Sequence, residues 1–218
     1  MSTEQDVIDA VNNNDLDRLS DLLAATPGLA AARNTAGISA LMLALYQRRL
    51  AMINMIRAAR DGLDLFEAAA LGETATLEVM LEDDPECVDM YAPDGFQPLH
   101  LAAFFGRAKA VDCLLAHGAD SRAVADNPMR VQPLHCAVAG ASLECAELLL
   151  DAGANPDARQ HGGYTPLMGA AAGGHVEIAE LLLDYQADAG LEDDQGRTAR
   201  DIAQAENQAT VVALLEVS

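Results

Sequence analysis

The chain has 218 residues, 51% of them apolar and 22% charged, which places it among folded globular chains and against disorder. Its 34 acidic side chains against 13 basic ones leave a formal charge of −21, a field that repels phosphate backbones and anionic headgroups and so argues against nucleic acid and bare membrane as partners. A basic protein or peptide is steered in instead, although acidity of this size equally serves solubility.

The apolar half is mostly Ala and Leu, with four Phe, four Tyr and no Trp, a mixture that suits thin, closely packed helices with short turns rather than a β-rich core. The first residues, Met1 to Asp6, lack the basic and apolar blocks of a secretory leader, and no apolar run approaches the ~18 residues needed to cross a bilayer. Cys87, Cys113, Cys136 and Cys145 have no CxxC spacing, and the last three fall among apolar helix positions. That favours buried free thiols, a reducing cytoplasm and no zinc site.

In chain order, residues 6–23 read as a polar-rich first helix pair and residues 37–44 (GISALMLA) open a second. Residues 60–63 form a tight turn with Asp64 as the next N-cap. From there the chain repeats itself: residues 97–103 (QPLHLAA), 132–138 (QPLHCAV) and 165–171 (TPLMGAA) are each followed by a Leu-rich segment, 113–120, 148–155 and 181–188. Proline in a first helical turn forfeits no hydrogen bond, and the Thr or Gln before it can cap orphan amides. Small Ala residues let neighbouring helices approach, Leu at a period of three to four buries a face, and Gly118 and Gly153 supply left-handed helix ends. Residues 198–215 form a last, polar-rich pair.

These motifs resemble the ankyrin repeat, whose pattern runs G-x-T-P-L-H-x-A-A, then G-H, then L-L-L and G-A-D. The likeness extends to small, stand-alone, bacterial-type ankyrin proteins. Setting its proline position at Asp6, Ala40, Asp64, Pro98, Pro133, Pro166 and Ala199 gives steps of 34, 24, 34, 35, 33 and 33 residues. The resemblance implies an all-α solenoid of about seven helix pairs with short β-turn fingers, capped at both ends. It divides residues 1–218, as one domain, at about 3–36 (N-terminal cap), 37–61, 62–94, 95–129, 130–162, 163–195 and 196–218 (C-terminal cap). The step of 24 leaves no room for a finger between the second and third pairs. The finger over residues 121–131 is longer than usual, with Arg130 in place of the turn glycine and Met129 and Arg130 exposed as a contact site, unless it leans on its neighbour.

No reaction machinery stands out. His100 and His135 occupy the His of the Pro-Leu-His turn, where the resemblance implies local hydrogen bonds; His175 matches the Gly-His between helices, and His117 and His161 fall at solvated ends. The runs 82–84 (EDD) and 192–194 (EDD) lack the ligand alternation of a calcium loop and read as solvated charge, and 169–174 (GAAAGG) reads as a tight helix turn rather than a phosphate loop. No nucleophile motif, cofactor motif or metal-ligand set is visible.

The resemblance therefore implies a non-catalytic protein-binding scaffold that uses fingertips and first helices as a concave groove. Transferred position by position, the groove takes Tyr46, Gln47, Ala70, Leu71, Pro93, Asp94, Pro128, Val131 and Gln160. The partner site centres on Phe96, Phe104, Phe105, Met129, Arg130, Arg159, His161 and Tyr164, with at least one of Phe104 and Phe105 turned inward. The alternative is a small-molecule or enzymatic site in the same groove around Arg130, Tyr164, Arg159 and His161. The sequence says nothing about oligomeric state.

Overall fold

The structure is a computed structural model that describes residues 3–216; Met1 and Ser2, part of the segment read above for a leader, lie outside the described residues, as do Val217 and Ser218. Within it, 14 α-helices follow one another in pairs. They are α1 (Glu4–Asn12) with α2 (Leu16–Ala25), α3 (Ala40–Tyr46) with α4 (Leu50–Ala58), and α5 (Leu65–Leu71) with α6 (Thr74–Asp83). Next come α7 (Pro98–Phe104) with α8 (Ala108–Ala116), and α9 (Pro133–Ala139) with α10 (Leu143–Asp151). Finally α11 (Pro166–Gly173) pairs with α12 (Val176–Asp184), and α13 (Ala199–Ala205) with α14 (Ala209–Leu214). Among the described residues there is no strand beyond an isolated bridge between Arg33 and Ser39, and no helix is long and apolar enough to cross a membrane.

Each first helix is short and almost wholly buried: in α7 every residue from Pro98 to Ala103 is inside, because Ala at 102 and 103 lets α5 and α9 close on either side. The second helices form an outer row and bury one stripe, Leu149 and Leu150 in α10 and Ile178, Ala179 and Leu182 in α12. Gly118 and Gly153 end α8 and α10 with φ of 90° and 83°, as their positions predict.

Helix starts follow local capping, and here two registers differ from the repeat spacing. Thr3 caps α1, with Asp6 closing the capping box rather than taking the proline position, and Asp64 caps α5 with Glu67 in the same role. The residues in the proline position are therefore Glu4 and Leu65, so the steps on either side of α3 are 36 and 25. Thr165 caps α11 as expected, with Met168 N donating to its hydroxyl at 3.3 Å. The glutamines do not act as caps. Gln97 Nε2 instead donates to Asp89 O at 2.8 Å, and Oε1 of both Gln97 and Gln132 is buried without a partner among the described residues. Their longer side chains overshoot the amide that a Thr hydroxyl reaches. The Gly169 to Gly174 run is also not a turn throughout: α11 continues through Gly173, and only Gly174 is left-handed.

The stack is interrupted once. Residues 59–64 alone join α4 to α5, whereas residues 84–97 join α6 to α7. Without a finger the outer row is only weakly joined between α4 and α6, and the core divides into one cluster from Val7 to Ile56, joined by Ala70 and Leu101, and another from Leu65 to Leu215. Three ion pairs span this break: Arg33–Asp64 at 2.6 Å, Arg57–Glu73, and Arg60–Glu67 at 2.5 Å.

Candidate functional site

The concave side carries a cavity of about 400 Å³. Its walls come from three first helices and three connections: Tyr46 from α3, His100, Leu101 and Phe104 from α7, His135, Cys136 and Ala139 from α9, with Phe96, Met129, Val131 and Gln160 from the connections before α7, α9 and α11. Cys136 and Ala139 are three apart on α9 and so share a face.

Aromatic contacts hold one wall. Phe105 lies 5.7 Å from Tyr46 and 5.1 Å from Phe104 between ring centroids, the second pair edge-to-face, and Phe96 is 6.0 Å from the His100 ring. Tyr46 donates its hydroxyl to Asp94 Oδ2 at 2.6 Å, linking α3 to the finger before α7. Burial, then that hydrogen bond, raises the Tyr46 pKa, so the phenol stays protonated.

The lengthened finger forms the opposite wall and is tied to both neighbours. Asp126 N donates to Gly95 O at 2.8 Å, Asn127 Nδ2 to Asp94 O at 3.1 Å, and His161 N to Met129 O at 3.0 Å. Its approach is so close that a Cβ on Gly95 would sit 2.2 Å from Asp126 O. Arg130 has φ of 50°, the left-handed conformation expected of the turn position it occupies. The finger therefore leans on its neighbours through its backbone while the Met129 and Arg130 side chains stay exposed.

His100 and His135 are buried and bind backbone. His100 Nε2 donates to Val131 O at 3.1 Å, and His135 Nε2 points at Ala158 O and Tyr164 O at 3.1 and 3.3 Å. Carbonyl partners require the proton on Nε2, and His135 Nδ1 accepts from Gln132 N at 3.2 Å; His100 Nδ1 has no partner among the described residues. Burial is the chief cause that depresses both pKa values, that of His100 to about 4. The folded protein therefore resists protonation where an unfolded histidine, with its value near 6.5, accepts it. Stability is complete above that value and falls as pH drops toward about 4, with His100 alone accounting for a loss on the order of 3 kcal/mol. Denaturant midpoints measured from about pH 7.5 down to about pH 4.5 check this, and His100→Gln should flatten the curve.

The predicted partner residues divide. Phe96, Phe104 and Met129 line the cavity, while Phe105, the residue after α7, stands behind it between Tyr46 and Phe104, so both phenylalanines are half-buried and pack against the core. Arg130, Arg159, His161 and Tyr164 lie outside the lining. Arg159 Nη2 donates to Glu192 O at 2.6 Å, Tyr164 donates its hydroxyl to Met168 O at 3.2 Å, and His161 is exposed. Cys136 and Ala139 were missed. The signal for them was two small residues one turn apart at the end of a first helix, which leaves a gap when the neighbours are Phe.

Two other readings change, and that of Cys136 as a buried thiol stands. Asp193 is not a solvated charge: it is 6% exposed, pairs with Arg197 at 2.8 Å and accepts from the amides of Gln195 and Arg197, which hold its carboxyl below the usual range. His117 is exposed yet bonded, its Nδ1 lying 2.8 Å from Cys113 O. Cys136, in the cavity wall, has its thiol pushed up to about 12 by burial, which makes it a poor nucleophile.

Two family profiles match, one described as ankyrin repeats (3 copies) over residues 65–160 and one as ankyrin repeats (many copies) over residues 149–203. Similar curated proteins include the neurogenic locus Notch protein of Drosophila melanogaster, 40% identical over 119 residues, 52% of this chain and 4% of that protein. The human neurogenic locus notch homolog protein 2 is 34% identical over 122 residues, 56% of this chain and 5% of its own length. Human BCL-6 corepressor-like protein 1 is 34% identical over 103 residues, 47% of this chain and 6% of its own. The chain thus corresponds to a small fraction of each relative. The profile matches begin at the first residue of α5, where the longer core cluster begins, and run into α13. With its paired helices, its Pro-Leu-His turns and these matches, the chain belongs to the ankyrin repeat family.

Proposed function

We propose that this chain is a non-catalytic protein-binding scaffold whose partner seats on the concave face of the pairs from α7 to α12, and that the partner is basic. Ankyrin repeats in general are protein–protein interaction scaffolds and typically carry no catalysis. The observation that carries the reading is the aromatic series Tyr46–Phe105–Phe104 running beside Met129, which is 51% exposed, and Arg130, an exposed cation with no ion pair among the described residues. Aromatic, Met and Arg side chains are the types that dominate binding energy at interfaces. The −21 charge favours a basic partner by steering, and Arg130 then meets a carboxylate or an aromatic ring within it. Four cysteines, all free and buried, support a reducing compartment, the cytoplasm.

The test begins with capture of a partner from the native cell, followed by calorimetry on the purified pair. Arg130→Ala should weaken binding by about 2 kcal/mol, roughly thirtyfold, with helical content and melting unchanged, and raising salt should slow association. Tyr164 supports the neighbouring turn through its hydroxyl, so Tyr164→Phe is the informative change there. Binding that ignores Arg130→Ala but is lost on changes to the outer helices would place the interface on the other surface.

A further inference from the structure

We propose that the 400 Å³ cavity between α3, α7 and α9 is a binding site for a small, uncharged, largely aromatic molecule, a further role for the face on which Tyr46, Phe104 and Met129 also serve the proposed protein contact. The volume falls in the range of about 300–1,000 Å³ typical of small-molecule pockets. Tyr46, Phe96 and Phe104 supply rings, and Met129, Val131 and Cys136 supply soft apolar surface.

Charge decides the ligand class. No Asp, Glu, Lys or Arg is among the lining residues, so an ion entering would shed water without meeting a counter-charge. The two histidines of the wall commit their Nε2 protons to backbone carbonyls and, being buried, remain neutral at pH 7; the Cys136 thiol likewise keeps its proton. The Tyr46 hydroxyl is taken by Asp94. Gln160 is different: its carboxamide is half-exposed at the cavity and has no partner among the described residues, so it offers N–H donors and a carbonyl acceptor to a ligand. Mostly apolar walls with one or two free polar groups describe a site for a neutral ring system bearing a hydroxyl, carbonyl or amine.

The site is also ready-formed. The Tyr46 ring is held at both ends by Phe105 and Asp94, the Phe96 ring by His100, and the long finger by backbone bonds to the fingers on either side. Little ordering entropy remains to be lost on binding.

N-phenyl-1-naphthylamine, a neutral dye that brightens in apolar surroundings, tests this directly on the whole chain. Wild type should take up one equivalent saturably, and the anionic dye 8-anilinonaphthalene-1-sulfonate should bind at least about tenfold more weakly. Ala139→Trp fills the cavity from an exposed position at the end of α9, and Met129→Glu places a charge in its wall from an exposed fingertip. Each should cost about tenfold or more in neutral-dye affinity while melting stays that of wild type. Should Ala139→Trp disturb folding, Met129→Glu alone decides. Uptake that does not saturate, that is equal for the two dyes, or that survives both substitutions overturns the proposal. So does a wild-type cavity that refuses the dye while Ala139→Trp abolishes binding of the captured protein partner, since the cavity would then seat a partner side chain.

Discussion

Arg60→Ala should lower stability by about 3 kcal/mol, a large loss for a loop residue, because it strands a carboxylate with no exposure. Glu67 has two roles. Its Oε2 accepts from Asp64 N at 3.0 Å to close the capping box of α5, and its Oε1 takes Arg60 Nη1 at 2.5 Å. Without the guanidinium the second oxygen is buried beside nothing, and the charge must be neutralised or the loop must open. The pair Arg60→Leu with Glu67→Gln should recover most of the loss, since a carboxamide still accepts from Asp64 N and carries no charge. Equilibrium denaturation of the single and double variants gives the numbers. Because Arg60 bridges the break between the two core clusters, hydrogen exchange in α1 to α4 should rise in Arg60→Ala before that in α9 to α12 does. Equal stability of Arg60→Ala and wild type would remove this ion pair from the account of how the two clusters are joined.

Leu149→Ala should cost about 2–5 kcal/mol, read as a lower denaturation midpoint. The side chain is 0% exposed in α10, which lies between α8 and α12 in the outer row, and truncation leaves a void that two flanking helices cannot both fill. In a stack where each pair is stabilised only by its neighbours, the loss is shared by the adjacent pairs, so the transition should also broaden. A midpoint unchanged from wild type would take Leu149 out of the core that this structure gives it.

Sequence by itself determined the elements whose causes lie within a few consecutive residues. Pro98, Pro133 and Pro166 begin helices because a proline at the first turn gives up no bond; Gly118 and Gly153 end them because they accept a positive φ. Asp64 caps α5, and Arg130 sits in the left-handed position of its turn, both legible from spacing alone. The repeat period carried the all-helical fold, since Ala and Leu recurring every 33 to 35 residues specify identical faces that bury only against one another.

Tertiary structure decided what depends on distance across repeats. Glu4 rather than Asp6 begins α1, and Leu65 rather than Asp64 begins α5, because a capping box outweighs the spacing of a degenerate repeat. Gln97 and Gln132 look like caps in the sequence, yet packing turns their amides away. The cavity was the least legible feature: Tyr46 and Gln160 are more than a hundred residues apart, and Cys136 and Ala139 carry no chemical signal of their own. They line a space only because α7 presents Phe104 while α9 presents small side chains, and because the long finger brings Met129 and Val131 over the gap. A repeat pattern fixes which residues face inward, whereas the volume left between inward faces is set by the differences in side-chain size from one repeat to the next.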